Sequence, residues 1–479
     1  AAIRAASGGG HQLDTTTWPE EAQLILTEHA VERFNVLQTI QLKVQQLLSE
    51  DGQHSFESKQ LELIQQSSIL DFGSLQHVVV IGATDLAGIA TAMLDRINRA
   101  GVTVDSLIRA PEYEADGFDS YGCINTAYWM DAEIEIVDHD IVVAGSPSSQ
   151  SAEVVRVLES LQDTATADQI TIAATDEHLI PIIQRHVHGH GVHSRFAGGI
   201  PLVQTPEAIF VSGIAEFIST RSYSSYAAII RHPEVVRLLN VRESVLEKLS
   251  RYSTDVIPSH ISESSWFEPQ ESHFNTKGLQ ELHAQVIELF APYLVLEHKP
   301  ASISECSSAI RDLILRVYGN ETLDRTDIKL KALQNIFGVL DALDSLADVM
   351  SERLGLLRIS EVIRFIIQEL EGVSIPELPD AKAIDTVGWL EAMAVDSPHL
   401  IVVGMSSDLG GGDTRSDAFF PDSLRYELGM ETMDKRMARD AHAVVAMQNA
   451  RLNQGSIKWI VGRKNEDGDP LTPSPLLMR

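Results

Sequence analysis

AIDTVGWLEAMAVDSPHLIVVGMSSDLGGGDTRSDAFFPDSLRYELGM (Ala383–Met430) leads into KRMARDAHAVVAMQNARL (Lys435–Leu452) and then IVGRKNEDGDPLTPSPLL (Ile460–Leu477). An apolar run at Leu400–Val403 gives way to a Gly-rich loop, a helix start at Pro421-Asp422 and a helix studded with Arg and Asp. A second apolar run, Lys458–Val461, meets a polar turn and a Ser-Pro exit. Short apolar runs bounded by turn residues read as buried strands. A helix between two of them makes a strand–helix–strand unit with parallel strands.

The same rhythm begins far upstream. HVVVI (His77–Ile81) reads as a buried strand and Leu86–Ala100 as an amphipathic helix. Val104–Ile108, Ile141–Ala144 and Ile170–Ala174 are further strands, with helices at Ser151–Leu161 and His178–His188. Between Tyr223 and Leu378 strand signals nearly vanish, and long helical patterns dominate at Leu279–Phe290, Ile328–Leu346 and Ile359–Leu370. After VSIPELPDAKAID the α/β pattern resumes at Val387. The N-terminal region reads as helical, with Leu24, Ile25, Ala30, Val31, Phe34, Val36, Leu37 and Ile40 at helical spacing across Glu20–Leu48. The order is that of an α/β domain with parallel sheets, interrupted by an all-helical insertion and then completed.

Bulk properties narrow the function classes. A chain of 479 residues is too long for one core. With 44% hydrophobic and 22% charged residues it has a globular composition. No apolar run approaches the roughly 18 residues of a membrane span, and the start, AAIRAASGGG, has no signal-peptide core. Cys123 and Cys306, far apart in sequence, fit a reducing cytoplasm and are too few for a Cys₄ metal or iron–sulfur site. The net charge of −31 repels DNA at long range, so any DNA contact must be local or come from a partner.

HVVVIGATDLAG (His77–Gly88) could set a pyrophosphate on a helix N-terminus, as dinucleotide folds do. Asp85, however, stands where a phosphate would approach. The next strand ends in Arg109-Ala110-Pro111 without the acid that binds a ribose, and no Tyr-x-x-x-Lys pair follows. A structural strand–turn–helix is the preferred reading. The imidazoles of His186, His188, His190 and His193 in RHVHGHGVH suggest metal, but their spacing with intervening Gly suits no closed zinc site, and they read as exposed turn histidines. Arg221, Arg231, His232 and Arg237, like Lys435, Arg436, Arg439 and Arg451, read as solvated faces or partners for the many acids.

The ordered succession of these stretches resembles the second motor domain of superfamily I DNA helicases. More narrowly it resembles the AddB-type subunits and inactivated helicases of bacterial double-strand-break repair. SLIRAPEYEADGFDSYG (Ser106–Gly122) is similar to the corresponding AddB-type segment, and Ile170–Ile218 to the beginning of the second motor domain. The resemblance covers residues 75–240 and 380–479 well and the rest mainly in pattern.

It implies RecA-like lobes: a helical region at 1–72, a remnant of the first lobe at 73–165 and the second lobe at 166–222. A helical insertion follows at 223–382, and the lobe is completed at 383–479. Active members carry an Asp-Glu pair where this chain has Ala83-Thr84-Asp85-Leu86, and an arginine where it has Thr175-Asp176-Glu177-His178. Their arginine finger falls at Gln448-Asn449-Ala450. No Gly-x-x-x-x-Gly-Lys-Ser/Thr occurs. Acids cannot stabilise phosphate charge, and Asn449 offers no charged fork.

The expectation is therefore a cytoplasmic, catalytically inactive helicase-like module with no catalytic, cofactor or metal residues. It would bind or guide DNA and hold an AddA-type motor or nuclease partner. A PD-(D/E)XK nuclease domain often follows in the family, so a fragment is expected. A Rossmann-type NAD(P) oxidoreductase and an acidic protein-binding scaffold are the alternatives.

Overall fold

The computed structural model describes residues 13–50, 72–261, 277–319, 327–407, 419–452 and 455–478, with isolated positions at 52, 59, 60, 63, 64 and 324. Its strands are β1 (His77–Ile81), β2 (Thr103–Leu107), β3 (Ile141–Ala144), β4 (Ile170–Ala174), β5 (Ser194–Phe196), β6 (Ile200–Pro201), β7 (Ser374–Ile375), β8 (Ile384–Gly388), β9 (His399–Val403) and β10 (Ser456–Gly462). The chain divides into two compact units, one of residues 1–195 and 380–479 and one of 196–379.

The first unit is built on a six-stranded parallel sheet in the order β3-β10-β9-β4-β8-β5. Its central strands are apolar on both faces because helices cover both, as a parallel sheet requires. The alternation of side chains sorts them cleanly. Leu400 and Val402 of β9, with Trp459 and Val461 of β10, pack under helices Thr126–Asp131 and Met433–Asn449 through Trp129, Ala441, Val444 and Met447. Ile401, Val403 and Ile460 face the other way, against Val154 and Leu158 of helix Pro147–Leu161 and Ile183 and Val187 of helix Leu179–Gly189. Each such fully buried aliphatic side chain contributes about 1.5–3 kcal/mol.

Several sequence expectations change here. Ile141–Ala144 and the helix after it were grouped with the first lobe, but β3 pairs in parallel with β10 from Ile141↔Trp459 to Ala144↔Gly462. β1 and β2 instead form a separate two-stranded parallel sheet, one of whose faces exposes Val79, Ile81 and Leu107. β8 was not read as a strand before Val387, because Asp385 and Thr386 interrupt its apolar run. Asp385 has a partner in the fold, Arg195, which reaches it through Nε at 2.5 Å and Nη2 at 2.9 Å; Thr386 is fully buried, and its hydroxyl has no hydrogen-bond partner among the described residues.

The N-terminal helix breaks into Glu20–Ile25 and Glu28–Glu50. Thr27 restarts it by accepting the Ala30 N–H at 3.2 Å. Among the described residues of the longer piece Phe34 alone is buried, against Trp18 and Phe420 at ring distances of 4.9 and 5.4 Å. Val36 and Ile40 of the expected apolar face are exposed.

The second unit is helical and begins earlier than the expected 223. Helix Pro206–Thr220 opens it behind the Thr205 cap, and Phe210, Ile214 and Phe217 enter its core. Helices Tyr223–Arg231, Glu243–Val256, Lys277–His298, Ile303–Tyr318, Ile328–Leu354 and Ile359–Leu370 follow. Ser302 and Glu305 form a capping box at the start of Ile303–Tyr318. β6 and β7 close the unit as a short antiparallel pair. Among the described residues no helix is long and apolar enough to cross a membrane.

Candidate functional site at the carboxyl edge of the parallel sheet

Ligands of open parallel sheets sit beyond the carboxyl ends of the strands, where neighbouring strands send their connections to opposite sides. In this sheet that point lies between β4 and β9. β4 leads through helix Leu179–Gly189 to β5 on one side, and β9 leads to β10 on the other.

The crevice there is filled by the chain itself. Thr175, just past β4, donates its N–H to Val403 O at 3.0 Å and its hydroxyl to Gly404 O at 2.6 Å. The Gly404 N–H is shared between Ile460 O at 3.0 Å and the Gln150 side-chain oxygen at 3.1 Å. Gly404 has φ +89°, and a Cβ on it would stand 2.5 Å from Thr175 Oγ1 and 2.8 Å from Leu179 Cδ1. Gly462 at the end of β10 leaves room in the same way for the Gln150 carboxamide, which is 2% exposed.

The two helix starts at this edge are also occupied. Ser146 caps Pro147–Leu161 by accepting the Ser149 N–H at 3.2 Å. Asp176 accepts the His178 N–H at 2.9 Å at the start of Leu179–Gly189. A phosphate binds such an edge through unpaired backbone N–H groups and positive charge. The Gly404 N–H is already satisfied here, and Asp176 and Glu177 bring negative charge. Arrangement and sign both oppose a triphosphate.

The second motif position lies after β1. Thr84 is buried, and Asp85 is held by Lys435 at 2.6 Å and more loosely by Arg439 at 3.6 Å. Arg439 and Arg436 also reach Glu431, at 3.0 and 3.3 Å. Thr432 places this network by capping helix Met433–Asn449. The Asp85 carboxylate is thus neutralised by an ammonium of its own chain.

At the other end of that helix Gln448 donates to Glu135 O at 2.8 Å, and Asn449 is exposed. Arg451 is neither a solvated face nor a partner for an acid, as the sequence suggested. It is 5% exposed and donates to Met447 O and Val395 O, both at 3.1 Å, and burial pulls its pKa down to about 10, with Arg109 adding to the effect.

The remaining sequence candidates are accounted for within their own units. Arg221 wraps back onto the carbonyls of Phe217 and Ile218, Arg231 donates to Ser250 Oγ at 3.1 Å, and Arg237 pairs with Glu234. His232 bonds Pro206 O at 3.2 Å and meets the Tyr318 hydroxyl at 3.3 Å; burial lowers its pKa. His186 and His188 lie in the last turn of helix Leu179–Gly189 rather than in a turn, and His190 caps it. Their rings pair as His186–His190 and His188–His193. Among the described residues no group of three or more His, Cys, Asp or Glu is arranged to hold a metal ion. Cys123 and Cys306 are free thiols whose pKa values burial raises, to about 11 for Cys306.

Sequence reasoning missed a buried polar pair on helix Met433–Asn449. Asp440 accepts the Trp389 indole N–H at 3.0 Å, and burial raises its pKa. His442 is 1% exposed, donates through Nε2 to Arg109 O at 3.0 Å, and lies between Phe118 and Trp129. Burial lowers its pKa. The signal for both was a polar residue beside alanine in the run Asp440-Ala441-His442-Ala443. No protein-family model and no curated protein matches this chain.

Proposed function

We propose that this chain is a motor-silent, RecA-like helicase module of the AddB type, from bacterial double-strand-break repair. It binds or guides DNA and scaffolds a partner motor or nuclease, which supplies the chemistry. The observation that carries this reading is the order of the parallel sheet along the chain, in which β3, β4 and β5 come first and β8, β9 and β10 complete it only after a helical unit of residues 196–379. An interruption of this kind supports the second lobe that the resemblance implies, although that lobe was expected to start at 166 and β3 was expected in the first one.

The closed crevice at Thr175, Gly404 and Gln150 supports the motor-silent half of the proposal, as does the Lys435–Asp85 pair. The dinucleotide alternative gains no support. β1 belongs to a two-stranded sheet rather than to a doubly wound one, and Asp85 is committed to Lys435.

The test is binding of the full chain to a labelled blunt DNA duplex across a salt series. A chain of net charge −31 that binds DNA does so through a local cationic surface, so affinity is expected at low salt and to fall steeply as salt rises. No binding to any duplex end or single strand at low salt would refute the DNA half and leave a protein scaffold.

A further inference from the structure

Helix Leu179–Gly189 ends in a backbone arrangement that fixes where its last side chains stand. The Val192 N–H donates to Val187 O at 3.2 Å and the Gly191 N–H to His188 O at 2.9 Å, the two bonds of a Schellman cap. Gly191 supplies the left-handed residue, with φ +79°. Val187 is fully buried, and Val192 packs on the cluster that holds it. The turn is thus anchored on the core, at the far end of this helix from the sealed sheet edge.

That anchoring sets His190 one turn beyond His186. Side chains four apart on a helix share a face, and these two rings have centres 5.1 Å apart with planes 34° from parallel. His190 Nδ1 lies 2.9 Å from His186 O. A carbonyl only accepts, so in the neutral ring Nδ1 carries the proton and Nε2 keeps its lone pair. Histidines that hold a metal ion commonly give the other ring N–H to a carbonyl in this way. His186 is half-buried and His190 exposed, so solvent reaches both, and the negative end of the helix dipole favours a cation there.

We propose that His186 and His190 chelate one divalent transition-metal ion, copper(II) ahead of nickel(II) and zinc(II). An ion about 2.0–2.1 Å from each nitrogen would lie about 3.2 Å from each ring centre, and rings 5.1 Å apart then subtend about 105° at the ion, close to the tetrahedral angle. Imidazole suits all three metals, and copper(II) stands first among them in intrinsic affinity. Among the described residues no third His, Cys, Asp or Glu joins the group. The remaining positions are therefore open to water or to a ligand from another molecule. The site is a surface clip on the last turn of the helix rather than a closed structural centre.

His188 and His193 form the competing pair. Their centres are 5.6 Å apart with planes at 58°. A shared ion there would see about 120° between its two nitrogens. Among the described residues neither ring has a hydrogen bond to set its tautomer, so this pair serves as the control.

The experiment is titration of the untagged, metal-stripped full chain with copper(II) chloride near neutral pH, followed by calorimetry and by electron paramagnetic resonance. One ion per chain should bind above the weak background of a chain with 17 His, with the signature of two coordinated nitrogens. His186→Ala and His190→Ala should each weaken that ion roughly tenfold or more. The double variant should bind about as weakly as either single one, because the first loss already leaves a lone imidazole. His188→Ala and His193→Ala should leave the affinity unchanged. Equal binding by His186→Ala and wild type would mean an adventitious ion only and overturn the site. Loss of the ion in His188→Ala, or no ion above background in wild type, would overturn it too. Should an alanine variant fail to fold, the wild-type resonance decides: two equivalent nitrogens support the chelate, and one or none overturns it.

Discussion

Gly404→Ala is the sharpest test of how the carboxyl edge is closed. The backbone there has φ +89°, which a side chain adopts at a cost of about 1–2 kcal/mol. The new Cβ would lie 2.5 Å from Thr175 Oγ1, displacing the hydroxyl from its 2.6 Å bond to Gly404 O. A buried polar pair broken in that way costs a further ~1–3 kcal/mol. The sum is about 3 kcal/mol, to be read from urea unfolding followed by tryptophan fluorescence. Trp129, Trp389 and Trp459 are all buried in this unit and report its unfolding.

Thr175→Ala is the control. It removes the clashing oxygen and leaves the backbone strain, so Gly404→Ala should cost about 1 kcal/mol less in that background than alone. A Gly404→Ala cost below about 1 kcal/mol, or strictly additive mutations, would refute the picture of Thr175 and Gly404 as one interlocked plug.

His442→Gln should flatten part of the acid limb of stability. The buried imidazole has a lowered folded pKa, so wild type loses its contribution as pH falls below the ordinary 6.5, and the amide variant does not; unfolding midpoints at neutral and mildly acid pH, compared between the two proteins, check it. Asp85→Asn should cost only ~0–1 kcal/mol, because the Lys435–Asp85 pair is partly exposed, with side chains 28% and 29% accessible. A cost of several kcal/mol in denaturant titration would mean that the loop after β1 depends on this pair far more than its exposure allows.

What the sequence revealed and what it hid divide along one physical line. β4, β9 and β10 were legible because a strand buried on both faces must be largely apolar, as ITIAA and the LIVV of Leu400–Val403 are. β8 was obscured because Asp385 and Thr386 break its apolar run: Asp385 is polar for a reason supplied elsewhere, by Arg195 from a segment nearly two hundred residues earlier, and nothing in the structure explains the polar Thr386. The membership of β3 could not be read locally, since β10, its partner, lies more than three hundred residues on.

The site shows the same divide. The departures from the motor pattern that the resemblance implies could be read as letters at Ala83–Leu86 and at Thr175–His178. The groups that fill their place could not. Gln150 is an ordinary helical glutamine until Gly404 and Gly462 leave space for its carboxamide. Arg451 resembles any basic residue on a helix end until Val395 and Met447 present their carbonyls.

Equilibrium dialysis of the full chain against magnesium-ATP, with release of inorganic phosphate followed in the same samples, bears most directly on all of this. A sheet edge sealed by its own threonine, glycine and glutamine should retain no nucleotide above the dialysate level and liberate no phosphate. Saturable uptake of the nucleotide, or phosphate release that disappears in Gly404→Ala, would contradict it.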